Sequence, residues 1–190
     1  KVYIQATAAA QPSRSKDNER SNDVFLFTTV SGKDENANRA EILKMCVYNV
    51  SSGSVEQEPT KAITSDKFRN LPYNSDINFK TGFDSCMSWK RSLPVLFLFK
   101  KQYWCAYDTE IGGLAKRFGK NFDRIHVRGG SGSRTHHFRN MPLPFSHTIN
   151  VVVNIGKGWE FSPNKDSELA IMITYDPLYD VEKNDHAKWM

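Results

Sequence analysis

Cysteine is scarce: the 190-residue chain has three, Cys46, Cys86 and Cys105. Their odd number, their wide spacing and the lack of any C-x-x-C exclude a disulfide framework, a zinc ribbon and a thioredoxin-type site. Each is expected inside a strand as a small apolar filler. Long hydrophobic runs are missing too. The longest of interest, LPVLFLF at 93–99, falls far short of the roughly 20 residues that span a bilayer. No charged-then-apolar leader stands at the front. The expectation is an intracellular chain without membrane contact, in which the N-x-S sequon at 49–51 goes unused.

Enzyme motifs are equally sparse. Neither G-x-x-x-x-G-K-[ST] nor a strand-linked G-x-G-x-x-G occurs, and no G-x-S-x-G elbow offers a serine nucleophile. Gly129, Gly130, Ser131, Gly132 and Ser133 match a phosphate loop only in composition. A P-loop feeds a helix whose N-terminal amides hold the phosphate, whereas this segment runs on to Pro142 and Pro144. His136 and His137 are adjacent, so in an extended chain their rings point to opposite sides, and no nearby Cys, Asp or Glu completes a metal shell. Cys105 stands within YWCAY, where packing accounts for it. No catalytic residue, metal or cofactor is therefore expected. Exposed tryptophans and unpaired carboxylates leave a carbohydrate-active β-sandwich as the enzyme class in view.

What the chain does have is the balance of a folded domain, with 39% apolar and 25% charged residues and enough length for one real core. Short runs rich in Val, Ile, Phe and Tyr recur between turn residues, at 24–30, 42–50, 76–80, 84–89, 94–100, 102–107, 122–128, 147–155 and 169–175. Ile149, Val151, Val153 and Ile155 alternate with Asn150 and Asn154, the period of a half-buried strand. Leu169, Ile171, Ile173 and Tyr175 likewise share one face, and Pro177 ends that strand. The one tolerable helix, 109–118, is weakened by Gly112 and Gly113 at about 1 kcal/mol each. Eight or nine strands and almost no helix predict an all-β fold, an antiparallel sandwich or barrel. Residues 1–22, rich in Ala, Ser and charge, read as a flexible N-terminal arm. The β-domain then runs over 23–177, and 178–190, with neither helix cap nor steady apolar face, reads as a C-terminal tail.

Charge is concentrated rather than merely present. The formal net charge is +5, and between 116 and 139 stand Lys116, Arg117, Lys120, Arg124, Arg128, Arg134 and Arg139 against the single acid Asp123. In the run 122–128, Ile125 and Val127 face one side while Arg124, His126 and Arg128 face the other. Cations spaced about 6.6 Å apart match the phosphate repeat of an extended nucleic-acid strand. Such contacts are independent of base sequence and sensitive to salt. The stretch 124–139, RIHVRGGSGSRTHHFR, is expected to be a strand and a glycine-hinged loop that touches phosphates or a neighbour's acids and performs no chemistry.

An arm followed by eight or so antiparallel strands resembles the jelly-roll coat proteins of small icosahedral viruses. The C-terminal third carries most of the likeness: FSHTINVVV at 145–153, GWEFSP at 158–163 and LAIMITYDP at 169–177. A strand, a Gly-Trp loop and a last strand closed by Asp-Pro look like the final two strands of coat subunits in picornavirus-like plant viruses, the comovirus group and its relatives. Coat proteins of single-stranded DNA plant viruses show a similar rhythm. The resemblance implies a jelly roll, other capsid subunits and viral genomic nucleic acid, RNA foremost, as partners, and the virion and host cytoplasm as location. Exposed aromatics, here Trp159, Trp189, Tyr103 and Tyr179, would then suit contacts between subunits, and each suits the core equally well. The other class the basic segment suits is a non-catalytic viral nucleic-acid-binding protein, of movement or silencing-suppressor type, on a β-sandwich.

Overall fold

The computed structural model describes residues 5–10, 23–33, 38–88, 94–118, 123–125, 138, 141, 145, 147–156 and 169–174. These form antiparallel sheets throughout, and the only helical pieces among them are three-residue 3-10 turns. The fold is all-β. One sheet is a meander of β1 (Gln5–Ala10), β2 (Asp23–Lys33), β3 (Arg39–Asn49) and β4 (Ser54–Lys61) in chain order. A second holds β5 (Ser85–Ser88), β6 (Val95–Lys100) and β7 (Tyr103–Asp108), with the short β8 (Gly113–Leu114) and β9 (Asp123–Arg124) both on the outer edge of β7. A third is the pair β10 (Val151–Gly156) and β11 (Leu169–Ile173).

The apolar runs of β6 and β7 show why the second sheet is central. Leu96, Leu98, Tyr103, Cys105 and Tyr107 point to one face, where they join Phe25 and Phe27 of β2 and Leu43 and Met45 of β3 in one buried cluster. Val95, Phe97, Phe99, Trp104 and Ala106 point to the other face and meet Ala115, Ile125, Ile149 and Val152 in a second cluster. A strand covered on both sides has no place for alternating polar residues, so its sequence is continuously apolar. The long connection from β4 to β5 fills the first cluster. Its Phe68 stands edge-on to Phe25 and Phe27, with centroids at 5.3 and 5.1 Å, and stacks on Tyr107 at 5.7 Å.

Several expectations change. Gln5–Ala10, inside the stretch read as an arm, is strand β1, paired residue by residue with β2 from Gln5↔Thr29 to Ala10↔Val24; 11–22 lie outside the described residues, as does the tail 178–190. β4 carries Pro59 and lies at a sheet edge, where a missing N–H costs no ladder bond. The run 76–80 is not a strand: it holds a lone bridge, Tyr73↔Asn78, and the start of the 3-10 turn Phe79–Thr81. Asn74 accepts the amides of Asp76 and Ile77, and Asn78 accepts that of Lys80, so side chains replace the ladder.

Nor is 109–118 an α-helix. Asp108 accepts the amides of Glu110 and Ile111, and Gly112 turns the chain at φ +62, where a Cβ would strike the Asp66 carbonyl. In β10 the period of two holds but its phase is reversed. Ile149 is buried, yet Val151 and Val153 face outward and Val152 faces the core. The bend at Asn150 breaks the alternation before the strand begins. Inward-facing Asn154 is satisfied because its amide donates to the Ser88 carbonyl at 3.0 Å.

Candidate nucleic-acid interface

The basic segment enters along the outer edge of β7. Gly113 and Leu114 pair with Asp108 and Tyr107, and the Ala115 amide donates to the Ala106 carbonyl. The chain rejoins the same edge where Asp123 and Arg124 pair with Trp104 and Tyr103. From Leu114 to Asp123 is nine residues, whereas from Tyr107 to Trp104 is three, so six extra residues leave the ladder between β8 and β9. The described part of this stretch is the 3-10 turn Lys116–Phe118, which carries Lys116 and Arg117. Phe118 anchors it, edge-on to Phe97 at 5.3 Å, while Lys116 is exposed.

Arg124 and Ile125 then divide as alternation requires: Ile125 is buried in the second cluster and Arg124 is exposed. The Arg124 Nε and Nη2 groups donate to the Tyr103 hydroxyl at 3.2 and 3.1 Å, and the guanidinium lies 5.4 Å from that ring's centroid. Tyr103 also pairs with Lys100 of β6, so Lys100, Tyr103 and Arg124 form a row across three strands, at about 4.8 Å per step. The Lys100 ammonium donates to the Asn78 carbonyl at 2.7 Å and the Thr81 hydroxyl at 2.8 Å. Burial pushes Lys100 below its ordinary pKa, against the pull of Glu41 and Asp84. Lys101, next in the tight β6–β7 turn, is exposed with φ +51, and Asp84 accepts its amide. A guanidinium has five N–H donors in a planar fork, of which two are used on Tyr103. The Tyr103 hydroxyl thus holds an exposed arginine in a fixed orientation, ready for an anionic oxygen.

Of the residues expected to bind nucleic acid, Lys116, Arg117 and Arg124 are described, the Arg117 backbone only; Arg124 pairs with β7, while Lys116 and Arg117 stand in the 3-10 turn that follows β8. Lys120, Arg128, Arg134 and Arg139 fall outside the described residues, as do Gly129 to Ser133, His136 and His137. Tyr103, weighed equally as a contact aromatic and as core, is buried: both neighbouring strands flank it and its ring joins the first cluster; Trp159, Trp189 and Tyr179 are outside the described residues. Two features escaped the sequence reading. Lys100 stands two strand steps from Arg124 across Tyr103, signalled only by a Lys-Lys pair closing an apolar run. Phe138 packs edge-on against Phe97, Phe99 and Trp104, with centroids at 5.5, 5.0 and 4.9 Å. Phe138 and Ile125 belong to the same cluster.

The described residues elsewhere offer little reactive chemistry. Cys105 and Cys86 are both about 1% exposed, and burial raises the Cys105 thiol far above its ordinary value, which keeps it protonated and inert. Among the described residues no three His, Cys, Asp or Glu side chains come together to hold a metal ion. An open cleft of about 380 Å³ lies between Asn70, Pro72, Tyr73, Lys80 and β8, with the Lys80 ammonium 4.0 Å from the Tyr73 ring centroid. Compared with family models, with curated proteins and with solved structures, the chain matches none.

Proposed function

We propose that this chain is a structural subunit of an icosahedral capsid: a jelly-roll sandwich without catalytic activity that assembles around a nucleic-acid genome, RNA by preference. The observation that carries this reading is the basic insertion looped out from a rigid sheet edge, with the oriented Arg124 at its exit. A buried cluster shared by β2, β3, β6 and β7 supports the two-sheet body that a jelly roll requires. Phosphates would be met by cations whose positions the core fixes, and no base edge need be read. The partners are then other capsid subunits and the viral genome, and the location is the virion and the host cytoplasm during assembly.

The test is electron microscopy of the purified full-length protein at low salt, with and without single-stranded RNA. Closed particles of uniform diameter are the expected result. The variant Arg124→Gln/Arg128→Gln/Arg134→Gln should then lower packaging and flatten the salt dependence of binding, with the fold intact. Cooperative coating of free strands with no particle under any condition would instead favour a movement or silencing-suppressor type of protein. Normal packaging by the triple variant would reduce the basic face to a solvated surface.

A further inference from the structure

The connection from β4 to β5 displays one aromatic ring on a stiff frame. Tyr73 is 62% exposed, yet the chain around it is fixed. Leu71, Ile77 and Phe79 are buried in the first cluster. The Pro72 carbonyl accepts the Phe79 amide at 3.0 Å, and the Asn74 amide donates to the Ile77 carbonyl at 2.8 Å. Lys80 follows in the 3-10 turn, and its ammonium stands 4.0 Å from the Tyr73 ring centroid. Both side chains line the open cleft of about 380 Å³, whose far wall is Gly113 and Leu114 of β8. Asn70 ties the walls together by donating its side-chain amide to the Gly112 carbonyl at 2.7 Å. Among the described residues no acid lines the cleft. We propose that this cleft is a stacking site for one unpaired base of a single-stranded nucleic acid, with Tyr73 as the platform and Lys80 as the phosphate contact.

The occupant follows from shape, charge and position. A base offers a flat π-face, and an exposed aromatic ring holds it without reading its edges. An ammonium beside that ring then suits the phosphate of the same nucleotide. The volume lies within the roughly 300–1,000 Å³ of small-ligand sites. Bases inside a duplex are already stacked, so only an unpaired one is free to reach the ring. The cleft also continues the basic surface. The turn that carries Lys80 holds the Lys100 ammonium through the Asn78 carbonyl and the Thr81 hydroxyl, and Lys100 begins the row that ends at Arg124. At the far wall β8 runs within two residues to the exposed Lys116. A strand held by its phosphates along this surface therefore passes the cleft. When a base takes the ring, the Lys80 ammonium exchanges a solvent-exposed cation–π contact for a phosphate, and the base stack is the stronger of the two ring contacts. The proposal rests on the nucleic-acid reading above and adds that a base is gripped as well as the backbone.

Fluorescence anisotropy of the full chain with labelled oligouridine tests it, beside the same oligomer built with abasic sites and an RNA duplex of equal length. Tyr73→Ala should weaken oligouridine binding about tenfold, the size of one lost base stack, with thermal unfolding unchanged. Tyr73→Phe should bind as the wild type does. Lys80→Gln should lower the slope of log K against log salt by about 0.7. The abasic oligomer and the duplex should not distinguish Tyr73→Ala from the wild type. Equal affinity of Tyr73→Ala and wild type for oligouridine overturns the proposal. So does equal affinity of the wild type for base-bearing and abasic strands, a comparison that needs no variant. Free uridine monophosphate bound as tightly as the oligomer would overturn it in favour of a small-molecule site. Unchanged oligouridine binding by Tyr73→Ala, in a protein that still forms RNA-filled particles, would leave the capsid reading standing without this site. Binding that depends on Tyr73, in a protein that never forms particles, would support the site and remove the shell. A wild type that binds no oligouridine overturns the site and the basic interface together.

Discussion

β6–β7 and β10–β11 are both antiparallel pairs of apolar strands of nearly equal length, yet they sit in opposite surroundings. The first pair has one buried cluster on each face; the second has a cluster on one face and solvent on the other. Composition alone does not separate them, since VLFLF and YWCAY are no less polar than VVVNI and LAIMI in kind. The difference lies in what packs outside. β2, β3 and Phe68 cover one face of β6–β7, and Phe118, Phe138 and Ile125 cover the other, whereas Val151, Val153, Ile171 and Ile173 have no such cover from the described residues. An apolar face covered within the chain stabilises the fold, and one open to solvent contributes far less to it.

The largest break in that comparison is expected from the core side. Phe97→Ala should cost about 3–5 kcal/mol, because Phe97 is fully buried and touches Trp104, Phe118 and Phe138 at once. Val153→Thr should stay within about 0.5 kcal/mol for the isolated chain. Urea unfolding of both variants measures the contrast, and equal costs would erase it.

Alkaline pH should act next most strongly, again through β7. Burial raises both Cys105 and Tyr107 above their ordinary values, so the folded state keeps protons that the unfolded state releases. Their contribution is complete below the ordinary thiol value of about 9 and declines as pH rises beyond it. Lys100 has the opposite sign: its folded pKa is lowered, so the unfolded state binds more protons and this group alone favours folding more as pH rises. Urea midpoints at a series of pH values should fall above about pH 9, and Cys105→Ala should make that fall shallower. A flat profile would mean that β7 is more open than its packing implies.

Smaller effects belong to the sheet edge. Arg124→Gln should leave stability within about 0.5 kcal/mol, as an exposed position, while reducing the slope of log K against log salt for single-stranded nucleic acid by about 0.7. Lys101→Asn should stabilise by a few tenths of a kcal/mol up to about 1, because Lys101 occupies the left-handed region that asparagine tolerates better. Thermal unfolding reads the second, and a loss there would show that Lys101 contributes more than a turn.

Much of this body was legible in the residues. Continuous apolar runs marked β6 and β7, and short runs of strand-forming residues marked β2 and β3, since a buried sheet selects such residues. β1 was not legible, because an Ala-rich segment lacks strand preference and is held by the open edge of β2. β4 was hidden by Pro59 and its charges, which only an edge strand tolerates. In β10 the period was correct and the phase was not: nothing in the sequence reveals that the Ser88 carbonyl would satisfy an inward Asn154. At the candidate interface the cations were visible as a run. The pairing of Arg124 with β7 was not, because register is not a property of composition. Lys100 came into one row with Arg124 only through their common pairing with Tyr103.

The contrast between the covered and the open strand pair is tested most directly by hydrogen–deuterium exchange of the full chain, read by mass spectrometry. Peptides over 95–108 should exchange slowly, and peptides over 151–156 and 169–174 should exchange faster. Peptides of β10 and β11 as slow as those of β6–β7 would contradict the account.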